Sequence, residues 1–263
     1  MIDVMIRSVN TVNCETISYN YIAMEESDKP FKIPFIKKEQ LNSDTYSFYF
    51  KRTEESRDFL PGQFFEIYLQ IKDPDERGRD RVFTCASSPT EKEYYMITTR
   101  IIESSFKREL LKLEEGDLVR FSGPWDDLNF DENEKAPQVF LAGGIGITPF
   151  YSIVQYMIDK NLQMPTRLFV SWKKRDNMIF HEFFKNAEKI LSDFTYIPTI
   201  TEDTWDGEVG RIDDGMIRKY VNEIEDSRYR IAGPEGLVRA MKDLVKSLEV
   251  KKDNIIAEEF EGY

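Results

Sequence analysis

The sequence predicts two domains, an antiparallel β-barrel followed by an α/β domain with a parallel sheet. From Phe31 to about Phe121, apolar residues recur with a period of two in short runs separated by turn residues, a pattern typical of a small barrel. After Val139, strand-like and helix-like runs alternate, which indicates a parallel sheet covered on both faces. The polar segment from Asp126 to Pro137 separates the two patterns, so we place the domain boundary there.

We divide the chain into an N-terminal extension (residues 1–30), a barrel domain (31–131) and an α/β domain (132–263). The extension ends in a turn-like polar cluster, and its role stays unassigned. The barrel strands are expected around Phe31–Phe35, Tyr46–Phe50, Phe64–Leu69, Tyr94–Ile102 and Leu118–Phe121. One short helix is predicted at Ser105–Lys112, capped by Ser104 or Ser105 and ended near Gly116.

The α/β domain is expected to contain five strands and three main helices. The strands are Val139–Ala142, Leu168–Ser171, Phe194–Ile200, Tyr229–Ala232 and Asn254–Glu259. One helix begins at Pro149, and the other two span Asn177–Leu191 and Leu237–Leu248. Ligands of such sheets bind at the carboxyl ends of the strands. The glycine turn at Gly143–Thr148 and the Gly233-Pro234 turn both follow strands, so we expect them at one rim.

The turn at Gly143–Thr148 is the first candidate binding site. Gly143, Gly144 and Gly146 follow a buried strand, and a helix begins with Pro149. Glycines let a phosphate approach the backbone, and a helix N-terminus favours an anion. The spacing differs from the GxGxxG of the usual dinucleotide fold, so an ordinary strand–turn–helix crossover is the alternative.

The second candidate site is Arg81–Pro89 in the barrel half. An arginine fork suits a diphosphate, an aromatic ring such as Phe83 stacks on a flat heterocycle, and the Thr84 hydroxyl can donate to a ring nitrogen. Taken alone, the segment is equally compatible with an ordinary β-strand.

Composition excludes several functions. A net charge of −12 over 263 residues argues against a nucleic-acid partner. Cys14 and Cys85 cannot form an iron–sulfur cluster, and the single histidine, His181, rules out a multi-histidine metal site, so no metal is expected. We interpret His181 as a surface or capping residue. Without a long apolar run or a leader-like N-terminus, a cytoplasmic protein is expected.

Taken together, these motifs resemble the ferredoxin–NADP reductase family. RVFTCASSP at Arg81–Pro89 is similar to its flavin-binding motif, Pro61–Phe64 to its PGQF turn, and Gly143–Pro149 to its GGxGxTP nicotinamide turn. Ile231–Pro234 resembles its (C/A)GP turn, and Glu258–Phe260 its acidic-x-aromatic ending. The likeness implies an FAD-binding barrel, an NAD(P)-binding α/β domain and flavin-dependent NAD(P)H oxidation.

The resemblance also implies roles for individual residues. Arg81 would bind the flavin diphosphate, Phe83 would stack along the flavin, and Thr84 would hydrogen-bond near its N5. The implied flavin-binding set further includes Val82, Thr98, Thr99, Arg100, Ser104, Ser105 and Phe106. The implied nicotinamide-binding set includes Gly143, Gly144, Gly146, Ile147, Thr148, Ser171, Arg175, Gly233 and Pro234. Thr84, Thr148, Glu258 and Phe260 form the implied catalytic group, with Tyr263 as a rival of Phe260 for covering the flavin.

The chain departs from the family at several points. Ala232 stands where many relatives have a cysteine beside the nicotinamide, and no four-cysteine cluster segment is present. An acceptor such as ferredoxin, flavodoxin or an oxygenase component is implied, for which Lys107, Arg108 and Lys112 are candidate docking residues. Two alternatives are an electron-transfer subunit of a larger complex and a reductase of small molecules or ferric chelates.

The choice between NADH and NADPH depends on the loop after the second strand of the α/β domain. Ser171, Lys173 and Arg175 can meet a 2′-phosphate, whereas Glu202 would repel one. We favour NADH.

Overall fold

The computed structural model describes residues 29–260, which contain two six-stranded sheets. Tyr263 and all but the last two residues of the predicted extension lie outside the described residues. The segment that we predict as the domain boundary lies between the last strand of the first sheet and the first strand of the second.

The first sheet is antiparallel and forms the predicted barrel. Its strands are β1 (Phe31–Gln40), β2 (Thr45–Lys51), β3 (Phe64–Tyr68), β4 (Asp80–Thr84), β5 (Tyr94–Arg100) and β6 (Leu118–Trp125), in the spatial order β4-β3-β6-β1-β2-β5. The edge strands β4 and β5 contact each other, which closes the sheet.

Aromatic rings fill the barrel because alternate residues of each strand point inward. The ring centroids of Phe65 and Tyr95 lie 4.9 Å apart, and those of Phe50 and Phe121 lie 5.0 Å apart. Helix α1 (Ser105–Lys112) covers the barrel with the fully buried side chain of Phe106. This helix has the bounds that the sequence predicts, and Ser104 is its N-cap residue, but the Ser104 side chain does not make the predicted capping hydrogen bond.

The second sheet is parallel throughout, as predicted. Its strands are β7 (Gln138–Gly143), β8 (Thr166–Trp172), β9 (Phe194–Ile200), β10 (Glu208–Val209), β11 (Arg228–Pro234) and β12 (Ile255–Phe260), in the order β10-β9-β8-β7-β11-β12. Its helices are α2 (Thr148–Asp159), α3 (His181–Ile190), α4 (Asp214–Tyr220) and α5 (Glu235–Ser247).

Helices cover both faces of this sheet. On β7, Phe140 belongs to the apolar cluster beneath α2 and α3, whereas its neighbour Leu141 belongs to the cluster beneath α4 and α5. A strand buried on both faces has to be apolar without interruption, which explains the run Val139–Ala142.

Two parts of the α/β domain differ from the prediction. The expected helix Asn177–Leu191 begins only at His181, because Phe180 has a left-handed backbone (φ 59°) that interrupts it after a 3₁₀ turn at Arg175–Asn177. Helix α4 and the two-residue strand β10 are absent from the prediction. The Asp213 carboxylate caps α4 by accepting a hydrogen bond from the Met216 N–H at 2.8 Å, a local signal that the sequence carries.

Arg230, on β11, joins the interdomain segment to the parallel sheet. Its guanidinium is 1% exposed and donates to the carbonyl oxygens of Leu128 (2.8 Å) and Asn129 (2.7 Å), and to Gln138 Oε1. Burial lowers the pKa of Arg230 to about 10, so the group stays charged at neutral pH. These bonds fix the approach of the barrel to β11.

Candidate flavin and nicotinamide site

The two glycine turns meet at one rim of the parallel sheet, as the sequence predicts. A 3₁₀ turn at Gly144–Ile147 follows β7 and leads into α2. A Cβ added to Gly146 would lie 2.2 Å from the Ala232 carbonyl oxygen, and one added to Gly233 would lie 3.2 Å from the Gly143 oxygen. The backbones therefore approach too closely for side chains at these positions.

Gly144 faces open space beside this contact. Its backbone is left-handed (φ 53°), and a Cβ added to it would meet no atom within 4 Å. The space beside the turn is therefore left open at this residue, which has no side chain to fill it. This exposed backbone is the geometry that a phosphate or amide of a nucleotide requires.

A cleft of about 540 Å³ opens from this rim between the two domains. Its α/β side includes Gly143, Gly144, Ser171, Pro234 and, from the loop segments, Lys173, Glu202 and Arg211. Its barrel side includes Asn42, Asp44, Thr45 and Arg100. Both domains therefore contribute to one binding cleft.

Thr84 on β4 and Glu258 on β12 link the domains. The Thr84 hydroxyl donates to Glu258 Oε1 over 3.4 Å. In the register of the parallel sheet, Glu258 pairs with Ala232 and Phe260 pairs with Pro234. Three of the four predicted catalytic residues, Thr84, Glu258 and Phe260, are thus brought to the rim that carries the glycine turns.

Glu258 is held as a buried acid. Glu258 is 8% exposed, and its Oε2 has no hydrogen-bond partner among the described residues. Burial, followed by the nearby charge of Asp127, raises the pKa of Glu258 to about 8. The carboxyl is therefore largely protonated at neutral pH and can donate a proton or a hydrogen bond.

Strand β4 presents its predicted residues in different directions. Val82 is 59% exposed, while Phe83 lies in the barrel core with its ring centroid 5.8 Å from that of Phe106. The Arg81 guanidinium faces the N-terminus of α1 and lies 5.4 Å from the Phe106 ring. Stacking of Phe83 along a flavin stays a prediction.

The N-terminus of α1 fits a phosphate-bearing cofactor. Ser104 is nearly fully buried, and its hydroxyl has no hydrogen-bond partner among the described residues. Ser105 is the first residue of the helix, whose initial N–H groups point away from the helix body. An unpaired hydroxyl beside helix N–H donors and Arg81 is a donor set suited to a diphosphate, so the residues present fit FAD.

The end of β5 contributes one arginine to the cleft. The Thr98 hydroxyl lies 2.7 Å from Ser47 Oγ, and the Thr99 hydroxyl donates to the Arg100 carbonyl oxygen over 3.4 Å. Both threonines are buried. The Arg100 side chain lines the cleft and is paired with Asp44 at 2.6 Å. Of these three predicted residues, Arg100 is the one that reaches the cleft.

The remaining predicted residues divide between the cleft and its surroundings. The Thr148 hydroxyl is buried and donates to the Ile145 carbonyl oxygen at 3.1 Å, so it stabilises the turn, and Ile147 is buried beneath it. Phe260 is half-buried against the apolar cluster under α2 and α3. Arg175 does not line the cleft. Its guanidinium lies 5.5 Å from the Trp205 ring instead.

Sequence reasoning missed Arg211 and the Asn42–Thr45 turn, which the fold brings to the cleft. Arg211 follows the short strand β10, in a stretch without clear periodicity. The turn residues have an Asx signal, since the Asn42 side chain accepts from the Thr45 N–H at 2.9 Å, but nothing local shows that they face another domain.

The proposed docking rim of Lys107, Arg108 and Lys112 needs correction. Lys107 is 5% exposed, and its ammonium donates to the Arg100 carbonyl oxygen at 2.7 Å. Burial and the charges of Arg77 and Arg81 lower its pKa to about 8. Lys112 is paired with Glu109 at 2.7 Å and Arg108 lies 4.0 Å from Glu103. Lys107 is therefore no surface docking residue.

His181 and Cys85 lie outside the site. His181 begins α3 and is half-buried, with Nδ1 3.5 Å from the Tyr196 hydroxyl. Burial raises the pKa of the Cys85 thiol to about 12, so it stays protonated. Residues 29–260 contain no group of histidine, cysteine and acidic side chains that could hold a metal ion. Within the same residues, no helix is both long and apolar enough to cross a bilayer.

These features define a class of protein: a two-domain scaffold whose barrel fits a flavin and whose parallel sheet fits a nicotinamide nucleotide. Comparison with known sequences agrees domain by domain. Residues 32–130 match the oxidoreductase FAD-binding domain, and residues 140–243 match the oxidoreductase NAD-binding domain. The chain thus carries an oxidoreductase FAD-binding domain followed by an oxidoreductase NAD-binding domain, the domain pair that the resemblance to the ferredoxin–NADP reductase family implies.

Among curated relatives, the chain is similar to the plasma membrane-associated coenzyme Q6 reductase of Saccharomyces cerevisiae, with 28% identity over 212 residues, covering 79% of this chain and 67% of the relative. It also resembles the flavohemoprotein of Bacillus subtilis, with 28% identity over 247 residues, covering 88% of this chain and 59% of the relative. The chain thus spans about 60 to 67% of the length of these two proteins.

Solved structures agree on the fold. The cytochrome b5 reductase domain of Ulva prolifera nitrate reductase superposes with a TM-score of 0.77 at 17% identity, covering 88% of this chain and 97% of that one. This likeness supports the two-domain architecture.

Proposed function

We propose that the chain is a flavin-dependent NADH oxidoreductase, in which hydride passes from the nicotinamide to the flavin and electrons then leave to an acceptor. The observation that carries this function is the meeting of Thr84 and Glu258 across the domain boundary, at the rim of the two glycine turns. The cofactors supply the hydride chemistry, and the protein supplies binding, orientation and exclusion of water.

The barrel side holds the flavin in this proposal. Arg81 and the first N–H groups of α1 bind the diphosphate, and the Thr84 hydroxyl bonds the reactive edge of the ring system. Phe260, half-buried opposite Pro234, covers the flavin until the nicotinamide replaces it. Glu258 lies beside Thr84 as a protonated acid, whose unpaired Oε2 could donate a hydrogen bond to a bound ring system.

The α/β side holds the nicotinamide nucleotide. Gly144 leaves the turn backbone open to the nucleotide, and Gly146 lets the turn pack against Ala232. Ser171 and Pro234 line the same cleft. Glu202 lies in the cleft 3.9 Å from Lys173, so it offsets that charge and disfavours a 2′-phosphate. NADPH use is the alternative, and the cleft position of Arg211 favours it.

The acceptor is part of the proposal. We propose a ferredoxin, a flavodoxin or an oxygenase component, with a cytoplasmic location; a larger complex or a small-molecule or ferric-chelate acceptor is the alternative. Reduction of ferricyanide by the isolated chain with NADH separates an independent reductase from a subunit that works only inside a complex. Comparing rates with ferredoxin, flavodoxin and ferric chelates then separates the acceptors.

The placement of the flavin is tested with Arg81→Ala. The variant should stay folded and lose bound FAD, because it removes the charged fork from the diphosphate position. Arg79→Ala is a matched control two residues earlier, since the Arg79 side chain donates to the Ile71 carbonyl oxygen, away from α1. Full FAD content in Arg81→Ala would show that the diphosphate lies elsewhere.

A further inference from the structure

A carboxylate of the protein already bonds the donors assigned to the flavin diphosphate. The loop between β3 and β4 folds toward the N-terminus of α1 and places Asp75 there. Asp75 Oδ2 accepts from the Ser105 N–H at 2.9 Å, and Oδ1 accepts from Arg81 Nη2 at 3.0 Å. The Asp75 N–H in turn donates to Ser105 Oγ at 2.9 Å.

These bonds use the donors that a phosphate would need. The Ser105 N–H is the first of the helix, and it can serve one close anion at a time. Arg81 Nη1 is also engaged, by the carbonyl oxygens of Arg77 (2.6 Å) and Asp80 (2.5 Å). A residue that merely oriented Arg81 would leave the helix N–H free. Asp75 instead bonds both groups.

The surroundings are those of an anion site. Arg77, Arg81 and Arg100 lie close enough to Lys107 for their charges to lower its pKa further, beyond the effect of burial. Burial alone would raise the pKa of Asp75, but hydrogen bonds from Ser105 and Arg77 and the charge of Arg81 hold it well below its usual range. The buried, unpaired Ser104 hydroxyl adjoins this cluster in sequence and points independently to a further acceptor.

The loop that carries Asp75 lies at the surface. Lys72, Asp73, Pro74 and Glu76 around it are exposed, and the loop is anchored at its base by the bond from the Leu69 N–H to the Arg79 carbonyl oxygen at 3.0 Å. Departure of Asp75 from the helix would break its bonds to Ser105 and Arg81 and the bond from the Arg77 N–H to Oδ1 at 3.1 Å, but no ladder bond of the barrel strands.

We propose that Asp75 is an internal anion that competes with the flavin diphosphate for Arg81 and the α1 N-terminus, and that it leaves this position when FAD binds. The inference rests on the proposed function, since it requires the diphosphate at Arg81. Its consequence is that the Asp75 carboxylate lowers the affinity for FAD and favours release of the cofactor.

The test is the dissociation constant of FAD for the flavin-free protein, measured by quenching of flavin fluorescence. Asp75→Asn keeps the side-chain shape and removes the charge, so FAD should bind about tenfold more tightly, which corresponds to about 1.4 kcal/mol. Asp75→Ala should act in the same direction and covers the case that Asp75→Asn folds poorly. The control Asp73→Asn, exposed in the same loop, should leave the constant unchanged.

Riboflavin, which carries no phosphate, identifies the source of the effect. Its affinity should be the same in wild type and Asp75→Asn if Asp75 competes with the phosphates. Unchanged or weaker FAD binding by both Asp75 variants, with Arg81→Ala still losing FAD, would overturn the competition and leave the proposed function intact. Unchanged FAD binding by Arg81→Ala would overturn the competition together with the placement of the diphosphate at Arg81.

Discussion

The Thr84 hydroxyl lies 3.4 Å from Glu258 Oε1, and this contact joins the second domain to the motif strand of the first. Thr84 is on the antiparallel barrel and Glu258 is on the last strand of the parallel sheet. A hydroxyl and a protonated carboxyl are thus set side by side where the two cofactors are proposed to meet. The environment of Glu258 makes this arrangement sensitive to pH.

Glu258→Gln should change how the stability depends on pH. The pKa of Glu258 is raised from 4.5 to about 8, so its contribution is fully present below pH 4.5 and is lost as the pH rises through about 8. Between about pH 5 and 9, the free energy of unfolding of the wild type should therefore fall by a few kcal/mol relative to that of Glu258→Gln. Thermal unfolding across this range measures the difference. Glu259→Gln is the control, because Glu259 is exposed and paired with Lys242 at 3.2 Å.

Gly146→Ala should destabilise the α/β domain and prevent nucleotide binding. Its Cβ would lie 2.2 Å from the Ala232 carbonyl oxygen, a contact that forces the turn away from β11. We expect a loss of about 3 kcal/mol. Gly236→Ala is the matched control: its Cβ meets nothing within 4 Å, and alanine favours the helix there by roughly 0.5 kcal/mol. Equal melting temperatures for the two variants would show that the close approach is not required.

Glu202→Ala should shift nucleotide preference toward NADPH. Removing this carboxylate leaves Lys173 and Arg211 as the charges of that part of the cleft. The ratio of kcat/KM for NADPH to that for NADH should rise about tenfold. The control Asp203→Ala changes the next residue, which does not line the cleft. A ratio that stays constant would place the adenosine ribose away from Glu202.

Arg230→Met should cost about 3 kcal/mol of stability, because it leaves the carbonyl oxygens of Leu128 and Asn129 without their buried charged donor. Arg228→Met, two residues earlier on the same strand, removes a half-exposed ion pair with Glu134 at 3.0 Å and should cost about 1 kcal/mol or less. Urea unfolding compares them. Similar midpoints would mean that the interdomain segment is held by other contacts.

The architecture could be predicted because it depends on local patterns. The period of two in the barrel and the apolar run Val139–Ala142 follow from strand burial, and the glycine turns follow from the close approach of β7 and β11. The sequence could not show that Arg211 shares the cleft with Asn42, or that Asp75 lies against Ser105, because those contacts join distant segments. The burial of Lys107 could not be predicted either, because it depends on how α1 packs against the end of β5, where the Lys107 ammonium donates to the Arg100 carbonyl oxygen.

The central claim is tested most directly by an anaerobic visible spectrum of the purified protein, recorded before and after addition of NADH and then, on a fresh sample, of NADPH. The proposed function predicts flavin absorption bands that bleach with a stoichiometric amount of NADH and more slowly with NADPH. A protein that shows no flavin bands and takes up no added FAD would contradict the proposed function. A bound flavin that neither nucleotide bleaches would contradict the proposed reduction by NADH or NADPH.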